Sequence, residues 1–202
     1  MSKLKLTQTE LKTQSDALKQ YRRFLPTLQL KKQQLQSELR KSRELVEANR
    51  TAYRQLRQQL DCFVGLFADA GAVEFISQNL QIAQVIRSTA NIAGITVPVF
   101  ERVEFIIQNY DMFACDFWLD GGLQTVQELI ELKEAGKVLE EQYALLGKEL
   151  MATTQRVNLF EKVKIPECLE NIRKIQIYLG DATTAAVVRS KIAKRKLQEA
   201  AA

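Results

Sequence analysis

The chain contains no histidine. That absence removes Ser-His-Asp and Cys-His catalysis, imidazole general bases and nearly every catalytic zinc site. Glycine is scarce as well: none of the eight precedes Gly65, and the only adjacent pair is Gly121-Gly122. A phosphate-cradling loop needs several glycines between a strand and a helix start, so no nucleotide loop is expected. The three cysteines, Cys62, Cys115 and Cys168, are odd in number and far apart. That spacing excludes paired-cysteine zinc and thioredoxin motifs and predicts free thiols in a reduced compartment. No apolar run approaches the roughly 18–20 residues of a membrane span. The start, Met1-Ser2-Lys3-Leu4-Lys5, has no apolar core of a secretory signal, so a cytoplasmic location is expected. Carboxylate pairs remain at Glu140-Glu141 and Glu101/Glu104, in patterns that read as solvated faces. The expectation is a chain with no catalytic residues, no metal ligands and no bound cofactor.

What the sequence does have is helical period. Leu4, Leu11, Leu18, Leu25, Lys32, Leu39, Val46, Tyr53 and Leu60 recur every seven residues, with only Lys32 polar. Tyr21, Leu28, Leu35, Leu56 and Phe63 sit three positions after members of that series, interrupted by Gln14, Ser42 and Asn49. Apolar residues alternating at three and four mark a seam that faces another helix. A helix from Leu4 to Leu60 would run about 85 Å at 1.5 Å per residue and must be braced by a second one. Pro26 predicts a kink, because it removes one hydrogen bond while the pattern continues in phase on both sides. Leu129, Leu132, Gly136, Leu139, Tyr143, Leu146, Leu150, Thr153, Val157 and Phe160 form a second seam. Near Pro166 its phase slips by one, and Ile165, Cys168, Ile172, Ile175 and Leu179 take over, which predicts a bend or twist there. Beyond Gly180 the apolar side weakens and the chain turns basic.

The middle differs in composition. Residues 62–122 hold seven of the nine phenylalanines, the single Trp118 and five of the eight glycines. Ile92–Phe100 and Arg102–Ile107 are β-branched and partly alternating, which predicts two short strands or a hairpin. Pro98 argues for an edge position or a bend. Gly71 to Arg87 reads as a short helix. The fold class expected is all-α dominated: a long antiparallel two-helix coiled coil with a small α/β insertion, a short β-hairpin, in mid-chain. The boundaries are an N-terminal helix over 1–61, an insertion at one end over 62–122, and a C-terminal helix with a basic tail over 123–202.

Charge is divided unevenly. Residues 1–60 carry 14 Lys and Arg against 5 Asp and Glu, whereas residues 61–122 carry 2 against 8. Such asymmetry speaks of partners. The basic cluster Arg189, Lys191, Lys194, Arg195 and Lys196 would come near Lys3 and Lys5 in an antiparallel pair. Three readings of it stand: a solvated helix end that suits the C-terminal dipole, a group docking into a protein socket, and a nucleic-acid contact. The third lacks aromatic side chains for base stacking nearby. A non-rotary coiled-coil adaptor or scaffold satisfies the seams equally well.

The stretch Gln155-Arg156-Val157-Asn158-Leu159-Phe160-Glu161, followed by Val163-Lys164-Ile165-Pro166, resembles the D subunits of the V-type ATPases and ATP synthases, in their bacterial branch. That family carries an Arg-Val-Asn-Ala-Leu-Glu run and a nearby Ile-Pro in its C-terminal helix, so Arg156, Asn158, Glu161 and Pro166 are taken as motif residues of structural role. Leu6-Thr7-Gln8-Thr9-Glu10-Leu11, the Lys31-Lys32 region and Gly94-Ile95-Thr96-Val97-Pro98 fit as well. Pro26 and the alanine-rich tail depart from the family pattern. The resemblance implies a non-catalytic component of the central stalk, a rotor axle coupling ATP synthesis or hydrolysis to proton or sodium transport. Its partners would be the ring of catalytic and regulatory subunits, the small F subunit of the stalk and a membrane-side funnel subunit. Neither nucleic acid nor direct membrane insertion is implied. The chain would lie on the cytoplasmic side of the inner membrane. Lys3, Lys5, Arg189, Lys191, Lys194, Arg195 and Lys196 would then line the contact with the ring.

Overall fold

A computed structural model describes residues 4–61, 75–76, 78–108 and 119–200. Helix α1 runs Gln8–Asp61, strand β1 Leu80–Ile92, strand β2 Ile95–Ile107 and helix α2 Leu119–Leu159. A π-helical turn at Phe160–Lys164 leads into α3, Ile165–Ala200. No helix among the described residues is long and apolar enough to cross a membrane. The fold is therefore helical with a two-stranded hairpin between its helices. Trp118, Cys62 and Cys115 lie outside the described residues.

Helix α1 begins at a capped end, where the Thr7 hydroxyl accepts from the Glu10 backbone N–H at 3.3 Å. Such a cap satisfies one of the donors that the first turn leaves open. The helix continues through Pro26 without a break. Pro26 and Arg22, whose carbonyl loses its partner, are both exposed, so water can take the bond that proline cannot make. Each heptad position from Leu4 to Leu60 is at least half-buried, the polar ones included. The seam was thus readable even where Gln14, Lys32, Ser42 and Asn49 interrupt it.

Internal contacts divide the chain into two units, Met1–Lys32 with Ala152–Ala202, and Gln33–Met151. In the second, the core is Leu35, Val97 and Leu146, all at most 1% exposed. Leu39 and Leu150 from the helices, and Ala90, Ile92, Ala93 and Ile95 from the hairpin turn, pack against them. Burying each of the three stabilises by roughly 1.5–3 kcal/mol. The helices run antiparallel here: Leu35 shares a cluster with Leu146, while further on Asn49 meets Gly136 and Arg50 bridges to Glu140. A Cβ on Gly136 would stand 2.8 Å from Asn49 Oδ1, so glycine lets the two helices approach at that level.

The hairpin corrects part of the sequence reading. Gly71 to Arg87 was expected as a helix. Residues 75–76 and 78–79 are helical and 71–74 and 77 lie outside the described residues, but Leu80 onward is β1. The stretches Ile92–Phe100 and Arg102–Ile107, read as two short strands or a hairpin, are one continuous β2 apart from Ile92, the last residue of β1, and Ala93-Gly94, which form the turn. Two register shifts, between Ile82 and Gln84 and between Ile86 and Arg87, explain the misreading. A bulge adds one residue to one strand, so the period-2 signal breaks into spacings of three and four. The turn itself is Ala93-Gly94, with φ of 51° and 80°. Positive φ at both central residues is what a tight type I′ turn requires. Asn91 Oδ1 accepts from the Gly94 N–H at 2.9 Å. Pro98 sits in a sheet of only two strands, so its missing donor costs no inner ladder.

In the first unit, the rings of Tyr21 and Phe160 pack with centroids 5.0 Å apart. Ile175 is fully buried and Cys168 nearly so. Within this unit only the residues before Tyr21 can cover Ile175, so α3 runs antiparallel to the start of α1. The one-residue phase slip read near Pro166 is the π turn: the Ile165 N–H donates to the Phe160 carbonyl, five residues back. A π turn holds one residue more than an α turn, which is the size of the slip.

Candidate functional site

The basic end of α3 has its own geometry. From Asp181 to Glu199 every residue is exposed, although the segment is helical throughout. Thr183 and Thr184 donate their hydroxyls to the Gly180 carbonyl at 2.8 and 3.0 Å, and Ser190 to the Ala186 carbonyl at 3.0 Å. These are bonds of a helix to its own backbone. Arg195 Nε donates to Glu199 Oε1 at 2.8 Å, an exposed pair of small energetic weight. At 3.6 residues per turn, Arg189 and Lys196 lie on one side of the helix and Lys191, Lys194 and Arg195 on the other. Val187, Val188, Ile192 and Leu197 are 49–72% exposed and also face several directions. A helix docking by one stripe would segregate its apolar and charged groups. This end does not, and it suits enclosure from all sides better than attachment along one face.

The basic cluster was expected to lie near Lys3 and Lys5. Lys3 lies outside the described residues. Lys5 is exposed and precedes α1, which begins at Gln8. Helix α3 continues to Ala200, with every residue from Asp181 to Glu199 exposed.

The motif stretch lies beside the π turn. Arg156, Asn158, Glu161 and Pro166 are all exposed, while Val157 between them is 3% exposed. Lys164 Nζ donates to Glu167 Oε2 at 3.0 Å, and this bond holds its ammonium above the usual lysine range. Burial, reinforced by Glu167, pushes the Cys168 thiol up. The carboxylates expected on solvated faces are exposed and occupied with cations: Glu140 with Arg50 at 2.8 Å, Glu141 with Arg87 at 3.6 Å and Glu104 with Arg102 at 2.9 Å. The Arg50 pair raises the guanidinium above its ordinary value, through the hydrogen bond first and the charge of Glu140 second. Missed in the sequence was the second buried stripe of α2. Val138 and Gln142 lie off the seam yet are 1% and 9% exposed, on a helix whose Glu141 reaches Arg87 of the hairpin. Two inward faces on one helix were the available signal.

Comparison with known proteins places this architecture. The family model for the ATP synthase D subunit matches residues 10–195. The chain is 42% identical over 197 residues to the V-type ATP synthase D subunit of Borreliella burgdorferi, covering 98% of this chain and 96% of that one. It is 32% identical over 198 residues to the V-type ATP synthase D subunit of Chlamydia trachomatis, covering 98% of each. A third relative, of the same description from Chlamydia pneumoniae, is 31% identical over 96% of this chain and 93% of its own length.

Proposed function

The chain belongs to the D-subunit family of the ATP synthases, and on that premise we infer that it is the rotor axle of a bacterial V-type ATP synthase. It is a non-catalytic component of the stalk, and the end-to-end likeness at 42% identity carries the assignment. ATP synthesis or hydrolysis belongs to other subunits of that complex, and this chain transmits the coupling to ion transport.

The finer reading concerns what the basic end touches. We place Arg189, Lys191, Lys194, Arg195 and Lys196 inside the ring of catalytic and regulatory subunits, with Lys3 and Lys5 following at the level where α1 begins. Support comes from the exposed residues 181–199, whose apolar and charged groups look outward on all sides. Rotation within a socket requires that no single angular register be held deeply, and a surface with charges around its whole circumference meets that requirement. Toward the membrane, the small F subunit and a funnel subunit complete the stalk. The assembly sits on the cytoplasmic face of the inner membrane. The chain's domains, 1–61, 62–122 and 123–202, divide these tasks between two helical arms and a middle segment.

Charge reversal tests the socket. In the purified complex, Arg189→Glu, Lys191→Glu, Lys194→Glu and Arg195→Glu together should lower ATP turnover, or uncouple it from ion pumping in vesicles, by about tenfold, because several like charges facing one partner cost several kcal/mol. Turnover and pumping at the parental level would refute the placement. A complex that assembles and hydrolyses ATP without turning this chain would instead favour a static adaptor.

A further inference from the structure

Beyond Gly180, α3 changes character without ceasing to be a helix. Large apolar side chains are exposed elsewhere too, among them Phe24, Leu45 and Met151, but each sits beside buried or half-buried seam residues. Val187, Val188, Ile192 and Leu197 differ. They are 49–72% exposed, and no residue from Asp181 to Glu199 is even half-buried.

The local sequence also disfavours the helix that it forms. Thr183, Thr184, Val187 and Val188 are β-branched, and such side chains lose rotamer freedom against the preceding turn. Gly180 adds the entropy of its own backbone. Both threonine hydroxyls bond the Gly180 carbonyl, in competition with the helix's own N–H groups. With no apolar face packed on a neighbour, propensity alone holds the segment, and these residues suit an extended strand better. Pulling it from helix to strand therefore costs little.

Charge completes the pattern. From Ala182 to Gln198 there are five cations and no carboxylate. The apolar run Ala185-Ala186-Val187-Val188 stands directly ahead of Arg189, and Ile192-Ala193 lies between Lys191 and Lys194. A field of one sign keeps copies of the chain from joining through this end and favours a partner with a negative rim.

We propose that, before assembly, residues 185–197 are the capture site for an ATP-dependent heat-shock chaperone, one that clamps a single extended stretch of polypeptide. A cleft of that kind pairs with the backbone as with an added strand and seats an apolar side chain in a pocket. The segment supplies what such a cleft needs: a backbone that extends at small cost, Val187 and Val188 for the pocket, and cations for carboxylates at its mouth. Enclosure by the ring then removes the site, so release accompanies assembly; that step rests on the socket reading of the basic end.

The experiment uses the full chain, the assembled complex and a purified chaperone of that class in its ADP state. The chaperone should bind the isolated chain, and hydrogen exchange should find 185–197 protected by it. Val187→Asp with Val188→Asp should weaken binding about tenfold, since the apolar burial of one such side chain already amounts to that factor. Both positions are exposed, so the melting temperature of the chain should hold level, which separates lost capture from lost folding. The purified complex should not bind. No binding to the isolated chain, unchanged affinity in the valine variant, or protection that falls on another segment overturns the proposal and leaves the socket reading intact. Capture of 185–197 in the complex as firmly as in the isolated chain overturns the release and the socket together.

Discussion

Thr153 sits in the seam of α2 at 1% exposure, and its hydroxyl has no hydrogen-bond partner among the described residues. Burying an unpaired hydroxyl costs about 1–3 kcal/mol, and valine keeps the shape while removing the polar atom. Thr153→Val should therefore stabilise the isolated chain by about 1 kcal/mol, read from denaturant unfolding at unchanged slope. A destabilised variant would mean that the hydroxyl is bonded in solution. Cys168 presents the opposite case, a group whose chemistry is suppressed by its surroundings. At 5% exposure its thiol is pushed up by burial, so it holds less thiolate at any given pH than a free cysteine. Because the folded value is the higher one, the stability it contributes is whole below the ordinary thiol range and is lost as pH rises through it. At neutral pH, iodoacetamide should modify Cys168 far more slowly in the native chain than in the unfolded one, as peptide mapping would show. Equal rates would place the thiol at the surface.

At the scale of elements, the π turn explains how two seams of different phase share one continuous helical path. Phe160 and Ile165 are five residues apart, yet both face inward, and the extra residue is absorbed between them. Deleting Lys162 together with Pro166→Ala should convert the turn to α geometry and leave Cys168 and Ile175 in the seam. Deleting Arg173 instead has no turn to absorb it and swings Ile175 out by about 100°, since each residue turns the helix by that angle. Exposing that side chain costs about 1.5–3 kcal/mol. Thermal melts of the two deletions should differ clearly, with the first close to the parent; equal losses would show that the turn is not the site of the slip. The same element marks what the sequence could and could not reveal. Both seams and the slip were legible, because heptad spacing reports a buried face directly. Strand β1 was not, because the extra residue at Ala83 breaks its alternation, and in β2 the extra residue at Glu101 splits the pattern into two apparent strands. The basic residues of α3 were legible as a cluster.

At the scale of the molecule, the stability of its parts is uneven. Leu35, Val97 and Leu146 are sealed among helices and hairpin, whereas nothing among the described residues covers 181–199. An isolated helix of about 20 residues is marginal in water, because the first turn costs more than its hydrogen bonds return. The sequence does little to improve it: five cations lie between Arg189 and Lys196, and the one ion pair described in that stretch, Arg195 with Glu199, is exposed. Amides of 185–199 in the isolated chain should thus exchange with solvent within seconds, while those beside Leu35 and Leu146 stay protected far longer. A ring that encloses this end removes its fraying, so in the assembled complex the same amides should slow by at least about a hundredfold, which corresponds to about 2.7 kcal/mol of added stability. Hydrogen exchange measured by mass spectrometry on both samples decides the matter. If the end is slow already in the isolated chain, its helix needs no socket; if it stays fast in the complex, no socket encloses it.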